Sequence, residues 1–225
     1  MRLLLPCAIV GLVLLAGCSS TTTTSSSTGA AAKFSTANFD GSATGGVPAG
    51  WSPTGGSWRV VSAADAPSGT HAMEGRGDAT EGRTTLVADG AGALGDFEAF
   101  VRFNLQSGEH PQGAGLSFRF VDETHYYCIR YSNSEQGWHL FLANGADPSK
   151  KPDATVEFNG TLPGFNEWVS LRVEADGSHI EAFANGTKVI DYTETDATAP
   201  KSGKVGLMLR GQTVALFDDF EVETI

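Results

Sequence analysis

Three arginines stand in successive stretches of the chain in which apolar and polar residues alternate. Arg102 lies within residues 97–105, Arg119 within 114–121 and Arg130 within 125–131. Residues two apart on a β-strand point to the same face, so each arginine belongs to the polar face of its stretch. Guanidinium groups form paired hydrogen bonds with carboxylates and hydroxyls. We expect the three side chains to lie side by side on the concave face of a sheet.

His139 adds a further donor to this expected face, and Tyr127, Trp138 and Trp168 are the alternatives as stacking platforms. Tyr127, Trp138 and His139 lie in or beside the same stretches, and aromatic rings present a flat apolar surface with a polar edge. The predicted ligand-binding set is therefore Arg102, Arg119, Arg130, Tyr127, Trp138 and His139. The alternative is cross-strand pairing of the arginines with acids such as Glu98 on a solvated face. A register shift of one residue would invert the face.

No common catalytic motif occurs in the chain. A retaining glucanase needs two carboxylates about 5–5.5 Å apart, as Glu-x-Asp-x-x-Glu on one strand supplies, and the run 218–223 does not have that spacing. A Gly-x-Ser-x-Gly nucleophile turn, His-Glu-x-x-His and paired cysteines are also absent from the sequence. Catalytic residues stay unassigned. An enzyme of this kind would need a carboxyl of raised pKa, for which Glu98, Glu109 and Asp122 are the candidates.

Asp218 and Asp219 pose a separate problem. Alternation places Asp218 among Leu216, Phe220 and other apolar residues, where an unpaired carboxylate is costly. A structural calcium ion held with Asp40 would remove that cost, because carboxylates are preferred Ca²⁺ ligands. The predicted metal ligands are therefore Asp40, Asp218 and Asp219. The alternatives are a bulge that turns the aspartates outward and hydrogen bonds from backbone N–H groups.

The elements that carry these residues are β-strands. Period-two alternation recurs from residue 34 to residue 225, and no stretch keeps a helical stripe over a dozen positions. Asp176-Gly177 and Asn185-Gly186 fall between strands and are typical of two-residue hairpin turns. About a dozen short strands predict an all-β antiparallel sandwich or jelly roll, with residues 34–225 as its single domain.

Composition limits the function classes. The 225 residues carry a net charge of −11, and 40% are hydrophobic. An acidic chain cannot hold a nucleic-acid backbone by counterion release, so no nucleic-acid partner is expected. The hydrophobic content is too high for a chain that is disordered throughout.

The N-terminus is typical of a secreted protein. Arg2 precedes an apolar run of about fifteen residues, which fits a secretory signal peptide better than a membrane span of roughly 20. The alternative is a short membrane anchor that is never cleaved. Leu15-Ala16-Gly17-Cys18 resembles the bacterial lipobox, which implies cleavage after residue 17 and acylation of Cys18. Residues 18–33 are then a Ser/Thr-rich tether, and Cys128 is the domain's one thiol. We expect a lipid-anchored protein of the bacterial envelope facing the periplasm or exterior, in the outer membrane where one exists.

Several segments resemble a known family. They are Phe39-Asp40, Pro48-Ala49-Gly50-Trp51, residues 95–98, 113–120, 125–130, 168–173 and 203–207, and Phe217-Asp218-Asp219-Phe220. Together they resemble bacterial concanavalin A-like domains of the LamG-like and 3-keto-disaccharide hydrolase-like group, also called domain of unknown function 1080. The resemblance implies a jelly roll that binds or acts on carbohydrate, and it implies no single activity.

Three functions remain open. The favoured one is a tethered module that binds a glycan or cell-wall polymer. A glycoside hydrolase-like enzyme of the 3-keto-disaccharide type is the second. The third is an envelope protein-interaction domain without affinity for sugars.

Overall fold

The computed structural model describes residues 33–36, 38–78, 82–109, 111–145, 154–156 and 162–225. Within these ranges the regular structure consists of 15 β-strands and two single-turn 3₁₀ helices, Phe39–Gly41 and Asp89–Ala91. All the strands belong to one compact unit, residues 31–225. In this part of the chain, no helix has the length and apolarity needed to cross a membrane. The predicted signal peptide, Cys18 and residues 18–32 of the predicted tether lie outside the described residues, whereas Lys33 begins β1.

Eight strands form the first sheet, here called sheet I, in the order β13-β12-β11-β6-β15-β4-β3, with β1 also paired to β15. All the pairings are antiparallel. The strands of sheet I are β1 (Lys33–Thr36), β3 (Ser57–Ser62), β4 (His71–Arg76), β6 (Phe97–Ser107), β11 (Trp168–Asp176), β12 (His179–Ala184), β13 (Thr187–Thr193) and β15 (Val214–Thr224).

Seven strands form sheet II, in the order β10-β9-β8-β7-β14-β5-β2 and again antiparallel. The strands of sheet II are β2 (Trp51–Pro53), β5 (Arg83–Ala88), β7 (Gly113–Asp122), β8 (His125–Ser132), β9 (Gly137–Asn144), β10 (Ala154–Val156) and β14 (Lys204–Arg210). The prediction of an antiparallel β-sandwich with almost no helix is confirmed.

Alternation accounts for the strands that border the core. In β6, Phe97, Ala99, Val101, Phe103 and Leu105 are all 2% exposed or less, while the intervening residues are mostly half-buried. The predicted hairpin at Asn185-Gly186 joins β12 to β13, with φ of +46° and +79°. These residue types tolerate a positive φ, so the turn fixes the register of the two strands.

The core between the sheets contains Trp138. Its ring is fully buried, 5.4 Å from the ring of Tyr131 and 6.2 Å from that of Phe103. The prediction that Trp138 offers a stacking surface to a ligand is therefore wrong. Alternation along β9 turns Trp138 inward and its neighbour His139 outward. Burial of such a side chain stabilises the fold by about 1.5–3 kcal/mol.

Candidate functional site

The face of sheet II that turns away from the core is concave. Arg83 on β5 and Phe141 on β9 are four strands apart in the sheet, which is about 19 Å in a flat one. The guanidinium carbon of Arg83 nevertheless lies 3.5 Å from the centroid of the Phe141 ring. The sheet must therefore curve until its outer strands bring their side chains together. We call this side of sheet II the concave face.

A charged cluster occupies one end of the concave face. Glu135, in the turn between β8 and β9, lies 2.5 Å from Nη1 of Arg130 and 3.0 Å from Nη1 of Arg210. The Nε2 atom of His139 is 3.4 Å from the same carboxylate. Arg130 and His139 are direct neighbours across β8 and β9. These four residues, Arg130, Glu135, His139 and Arg210, form the Glu135 cluster.

Two glycines let β7 approach Arg130 closely. A Cβ atom on Gly113 would lie 2.9 Å from Cδ of Arg130, whereas one on Gly115 would meet the backbone of β8, 2.0 Å from the carbonyl oxygen of Ile129 and 3.0 Å from Cα of Arg130. Both glycines belong to β7, which lies between β8 and β14. Arg130 can therefore lie across β7 and approach Glu135 beside Arg210. A larger residue at either position would close this space.

The cluster holds its charges in a buried setting. Arg130 is 3% exposed and His139 is 8% exposed. Burial raises the pKa of Glu135, but the hydrogen bond from Arg130 and the charges of Arg130, Arg210 and His139 outweigh that effect. The net result is a pKa below the ordinary carboxyl value, so Glu135 is ionised at neutral pH.

Some buried polar atoms around the cluster have no hydrogen-bond partner. Among the described residues, Nε of Arg130, Nε of Arg210 and Oε1 of Gln112 are buried and make no hydrogen bond. Gln112 is only 2% exposed and directly precedes Gly113. Buried polar groups in folded proteins normally have partners, so these donors and this acceptor are suited to a polar ligand.

Aromatic and sulfur-containing side chains continue the concave face beyond the cluster. The Tyr126 ring lies 5.5 Å from Phe120 and 6.2 Å from Phe141. Burial raises the pKa of Tyr126. Cys128 is fully buried among them, with Phe141 and Ser117 as its cross-strand neighbours. The concave face therefore combines charged groups at one end with an aromatic wall at the other.

The structure separates the three arginines that were expected side by side. Arg130 lies on the concave face with His139, as predicted. Arg102 belongs to β6 in sheet I, because β6 and β7 lie in different sheets although they are consecutive along the chain. Arg102 is on the outer side of that sheet, where it pairs with Asp219.

A β-bulge redirects the third arginine. The register between β7 and β8 shifts after Phe118, and Arg119 has a φ of +46°. Such a bulge turns a side chain away from the face that alternation predicts. Arg119 thus leaves the face of Ser117 and lies at the opposite end of sheet II from the Glu135 cluster, near Tyr127. The expectation of one face holding all three arginines is wrong.

Arg119 and Tyr127 line a cavity of about 400 Å³, here called the end pocket. The guanidinium of Arg119 donates to the carbonyls of Gly95 and Gly177, at 3.1 and 2.7 Å from Nη2. Tyr127 donates its hydroxyl proton to Glu194 at 2.9 Å. Burial lowers the pKa of Arg119, and burial together with Glu194 raises that of Tyr127. Residues 194–197 and 199–201 complete the wall.

The predicted calcium ligands converge on one loop and have partners there. Asp40 accepts hydrogen bonds from the backbone N–H groups of Thr70 and His71. Asp218, which is fully buried, accepts from the N–H groups of Ser68 and Asp219, each at 3.0 Å or less.

The third predicted ligand, Asp219, contacts the guanidinium of Arg102 and the hydroxyl of Ser68. The bulge in β15 moves Phe220 to the core side, so Asp218 does not share its face as alternation had implied. Each of the three carboxylates therefore already has partners within the protein. Calcium binding stays a prediction.

The candidate acids for catalysis do not lie in the site. Glu98 pairs with Arg172 on sheet I. Hydrogen bonds from Thr124 lower the pKa of Asp122 to about 2, which is opposite to the raised value that a catalytic acid needs. Glu109 follows the end of β6 in sheet I. The carboxylate that does meet a histidine and two arginines is Glu135.

One further donor cluster lies at an edge of sheet I. Donor atoms of His179, Glu181 and Asp191 lie within 4.8 Å of one another. Lys188 already pairs with both acids. An ammonium group in contact with both carboxylates occupies the place of a cation, so we assign no metal to this cluster.

A model of the 3-keto-alpha-glucoside-1,2-lyase-like domain matches residues 35–223, and the chain belongs to that family. No curated protein sequence matches the chain.

Solved structures share the fold at low sequence identity. Carbohydrate-binding module CBM66 from Bacillus subtilis is 20% identical over 78% of this chain and 96% of its own, with a TM-score of 0.59. Domain 4 of AbnA, a GH43 extracellular arabinanase from Geobacillus stearothermophilus, was solved in complex with arabinotriose. It is 14% identical over 86% of this chain and 93% of its own, with a TM-score of 0.57. The cellulose-induced protein Cip1 is 15% identical over 78% of this chain and 91% of its own, also with a TM-score of 0.57.

Proposed function

We propose that this protein binds a carbohydrate on its concave face, with the Glu135 cluster as the recognition site. The observation that carries the proposal is the convergence of Arg130, Arg210 and His139 on one ionised carboxylate. Buried donors and an acceptor surround that carboxylate. Sugar hydroxyls both donate and accept hydrogen bonds, so one ring can satisfy groups of both kinds. Phe120, the half-buried ring of the nearby aromatic wall, suits the C–H face of a pyranose ring.

The similarity to a carbohydrate-binding module and to an arabinanase domain solved with arabinotriose supports this ligand class. The family supports it as well, because its description refers to a glucoside. A glycan or cell-wall polymer is therefore the proposed partner. An envelope protein-interaction domain without sugar affinity is the alternative that a negative binding result would favour.

A second function, catalysis, has one specific observation in its favour. Glu135 is ionised and lies beside His139, so its carboxylate has a free lone pair with which to accept a proton from a bound substrate. In a 3-keto glucoside the ketone acidifies the proton on C2. Removal of that proton by a base and departure of the C1 oxygen, which takes up a proton, give a 1,2-unsaturated keto sugar and an alcohol. Arg130 and Arg210 would stabilise the enolate charge on the ketone oxygen.

The test separates binding from turnover. Soluble residues 33–225 would be applied to a glycan array and to insoluble polysaccharides, beside the variants Arg210→Ala and Glu135→Gln. Arg59→Ala is the matched control, because Arg59 is an exposed arginine that pairs with Glu74 on sheet I. We expect retention by the wild type and the control, and loss in both cluster variants. Retention that is equal in all four proteins would refute the proposed site.

Any glycan that binds would then be supplied as its 3-keto derivative. The ultraviolet absorbance of the solution would be recorded over time, and the appearance of an unsaturated product would establish the lyase activity. Its loss in Glu135→Gln at sugar concentrations high enough to restore binding would assign the base. Binding without product in the wild type would leave a binding module.

We also propose that Cys18 is acylated and anchors the protein to the bacterial envelope. The lipobox resemblance and the serine- and threonine-rich residues that follow support this. The full chain would be expressed in bacteria fed radiolabelled palmitate, with Cys18→Ala as the variant and Cys7→Ala as the control. Label in the wild type and in Cys7→Ala, with none in Cys18→Ala, is the expected result. Equal label in both variants would refute the anchor at Cys18.

A further inference from the structure

The end pocket is a second site, separate from the Glu135 cluster. Tyr127 lies near the beginning of β8 and Ser132 at its end, five residues apart, which is about 17 Å of strand. Glu135 lies beyond Ser132, whereas Tyr127 contacts the end pocket. In addition, Tyr127 is on the core side of β8 and Arg130 on the concave side. One ligand group cannot contact both sites.

The end pocket has a fixed base. Arg119 is 2% exposed, and its guanidinium donates to two carbonyls that belong to different turns of sheet I. A positive φ at a non-glycine residue is a strained conformation that persists where the surroundings enforce it, and such residues cluster at functional sites. Asp96 accepts a hydrogen bond from the Gly177 N–H at 2.8 Å and lies 3.8 Å from the guanidinium. The base is thus preorganised, which lowers the entropic cost of binding.

The wall of the end pocket offers both hydrogen-bond donors and acceptors, together with an apolar side. Carboxylates of Asp96, Glu194 and Asp196 are acceptors, and the ammonium of Lys201 is a donor. Ala197, Ala199 and Pro200 contribute the apolar side. Charges of both signs surround the cavity, with three carboxylates against two cations, so neither a strong anion nor a strong cation is favoured. An uncharged polyhydroxy compound matches this wall.

We propose that the end pocket binds a neutral sugar residue at the end of a glycan chain. A cavity of about 400 Å³ lies within the range of small-ligand sites, about 300–1,000 Å³. Because Arg119 and Tyr127 close its base, a chain terminus fits better than an internal residue. Two sites on one domain would let a single polymer bind at two points and raise the apparent affinity. The ligand class rests on the proposed function, whereas the site itself does not.

The experiment uses soluble residues 33–225 labelled with ¹⁵N and titrated with glucose, arabinotriose and cellotriose, beside glucuronate and glucosamine. The signals to follow are the Nε–H of Arg119 and the amide of Gly177 for the end pocket, and the Nε–H groups of Arg130 and Arg210 for the concave face. Ala197→Trp fills the pocket from an exposed position, and Ser202→Trp adds the same ring at an exposed position outside the lining. Both substitutions are at surface positions and should leave the fold intact.

We expect at least one neutral sugar to shift the Arg119 and Gly177 signals. Ala197→Trp should weaken that binding at least about tenfold, while Ser202→Trp leaves it unchanged. Shifts confined to Arg130 and Arg210 would overturn the end pocket and keep the proposed function. Shifts at Arg119 that survive in Ala197→Trp, or that only a charged sugar produces, would also overturn it. Shifts at neither site with any sugar would refute both proposals.

Discussion

Arg83 and Phe141 close the concave face from opposite margins, with the guanidinium carbon 3.5 Å from the ring centroid. The two residues lie 58 positions apart in sequence and on β5 and β9, and three strands separate them in sheet II. Their contact depends on the curvature of the whole sheet. A cation–π pair of this kind stabilises by about 0.5–2 kcal/mol, depending on how far it is desolvated.

Removal of the arginine should therefore loosen the concave face without unfolding the domain. For Arg83→Ala we expect a loss of about 1 kcal/mol in the free energy of unfolding, measured by urea denaturation. Arg83→Lys should recover part of that loss because it keeps the charge. A loss in Arg83→Lys as large as in Arg83→Ala would mean that the planar guanidinium, and not its charge, makes the contact.

Glu135 should make stability depend on pH. Its pKa is held below the ordinary carboxyl value in the folded protein. Its contribution to stability is then fully present above the unfolded-state pKa of about 4.3 and is lost as the pH falls through the lower folded value. In Glu135→Gln, the pH dependence that this carboxyl group adds to the free energy of unfolding should disappear. The measurement is the difference in unfolding free energy between wild type and variant, from neutral pH to about pH 3.

At neutral pH that difference should amount to about 3 kcal/mol, because the variant leaves two partly or fully buried arginines without their carboxylate. It should shrink as the solution is acidified. A difference that stays constant over the whole range would show that Glu135 does not titrate with a depressed pKa.

Gly113 should tolerate no side chain. The Cβ of Gly113→Ala would meet Cδ of Arg130 at 2.9 Å and the carbonyl oxygen of Tyr131 at 3.0 Å. We expect a loss of about 1–3 kcal/mol in stability from overpacking, together with weaker binding of any ligand of the Glu135 cluster. Gly46→Ala is the control, because a Cβ there has no heavy atom within 4 Å. Thermal unfolding and glycan binding of the two variants would be compared. Unchanged binding in a folded Gly113→Ala would show that the position of Arg130 is not critical.

Calcium can be tested at the loop around Ser68. Asp40 and Asp218 accept hydrogen bonds from backbone N–H groups, and Asp219 pairs with Arg102. Since each carboxylate has a partner, we expect the same melting temperature in EDTA and in calcium chloride. A rise in calcium that Asp40→Asn abolishes would instead establish the predicted site and show that the ion displaces these hydrogen bonds.

Most of the fold follows from local sequence patterns. Period-two alternation identified strands such as β6, and Asn185-Gly186 identified a hairpin, because both signals depend on near neighbours in the chain. Sheet membership does not follow from such signals. Arg102 and Arg130 lie on strands that look alike in sequence, yet β6 and β8 belong to different sheets. Alternation also fails at a bulge, as it did for Arg119 and for Asp218.

The central residue of the candidate site was the hardest to predict. Glu135 lies in a turn among polar residues, where an acid is ordinary, and Arg210 lies about 75 residues further along the chain. Their meeting is decided by the placement of β14 between β5 and β7. The glycines of β7 were a signal in retrospect, because glycine inside a strand marks a close approach of another group.

Cys128 gives this face a built-in reporter. Its thiol is fully buried between Phe141 and Ser117, and buried thiols are chemically inert. A thiol reagent can therefore modify the soluble domain only when sheet II opens. The rate of modification measures how often that opening occurs. A molecule seated on the concave face holds the sheet closed, so it would slow the labelling even if it never touched the sulfur.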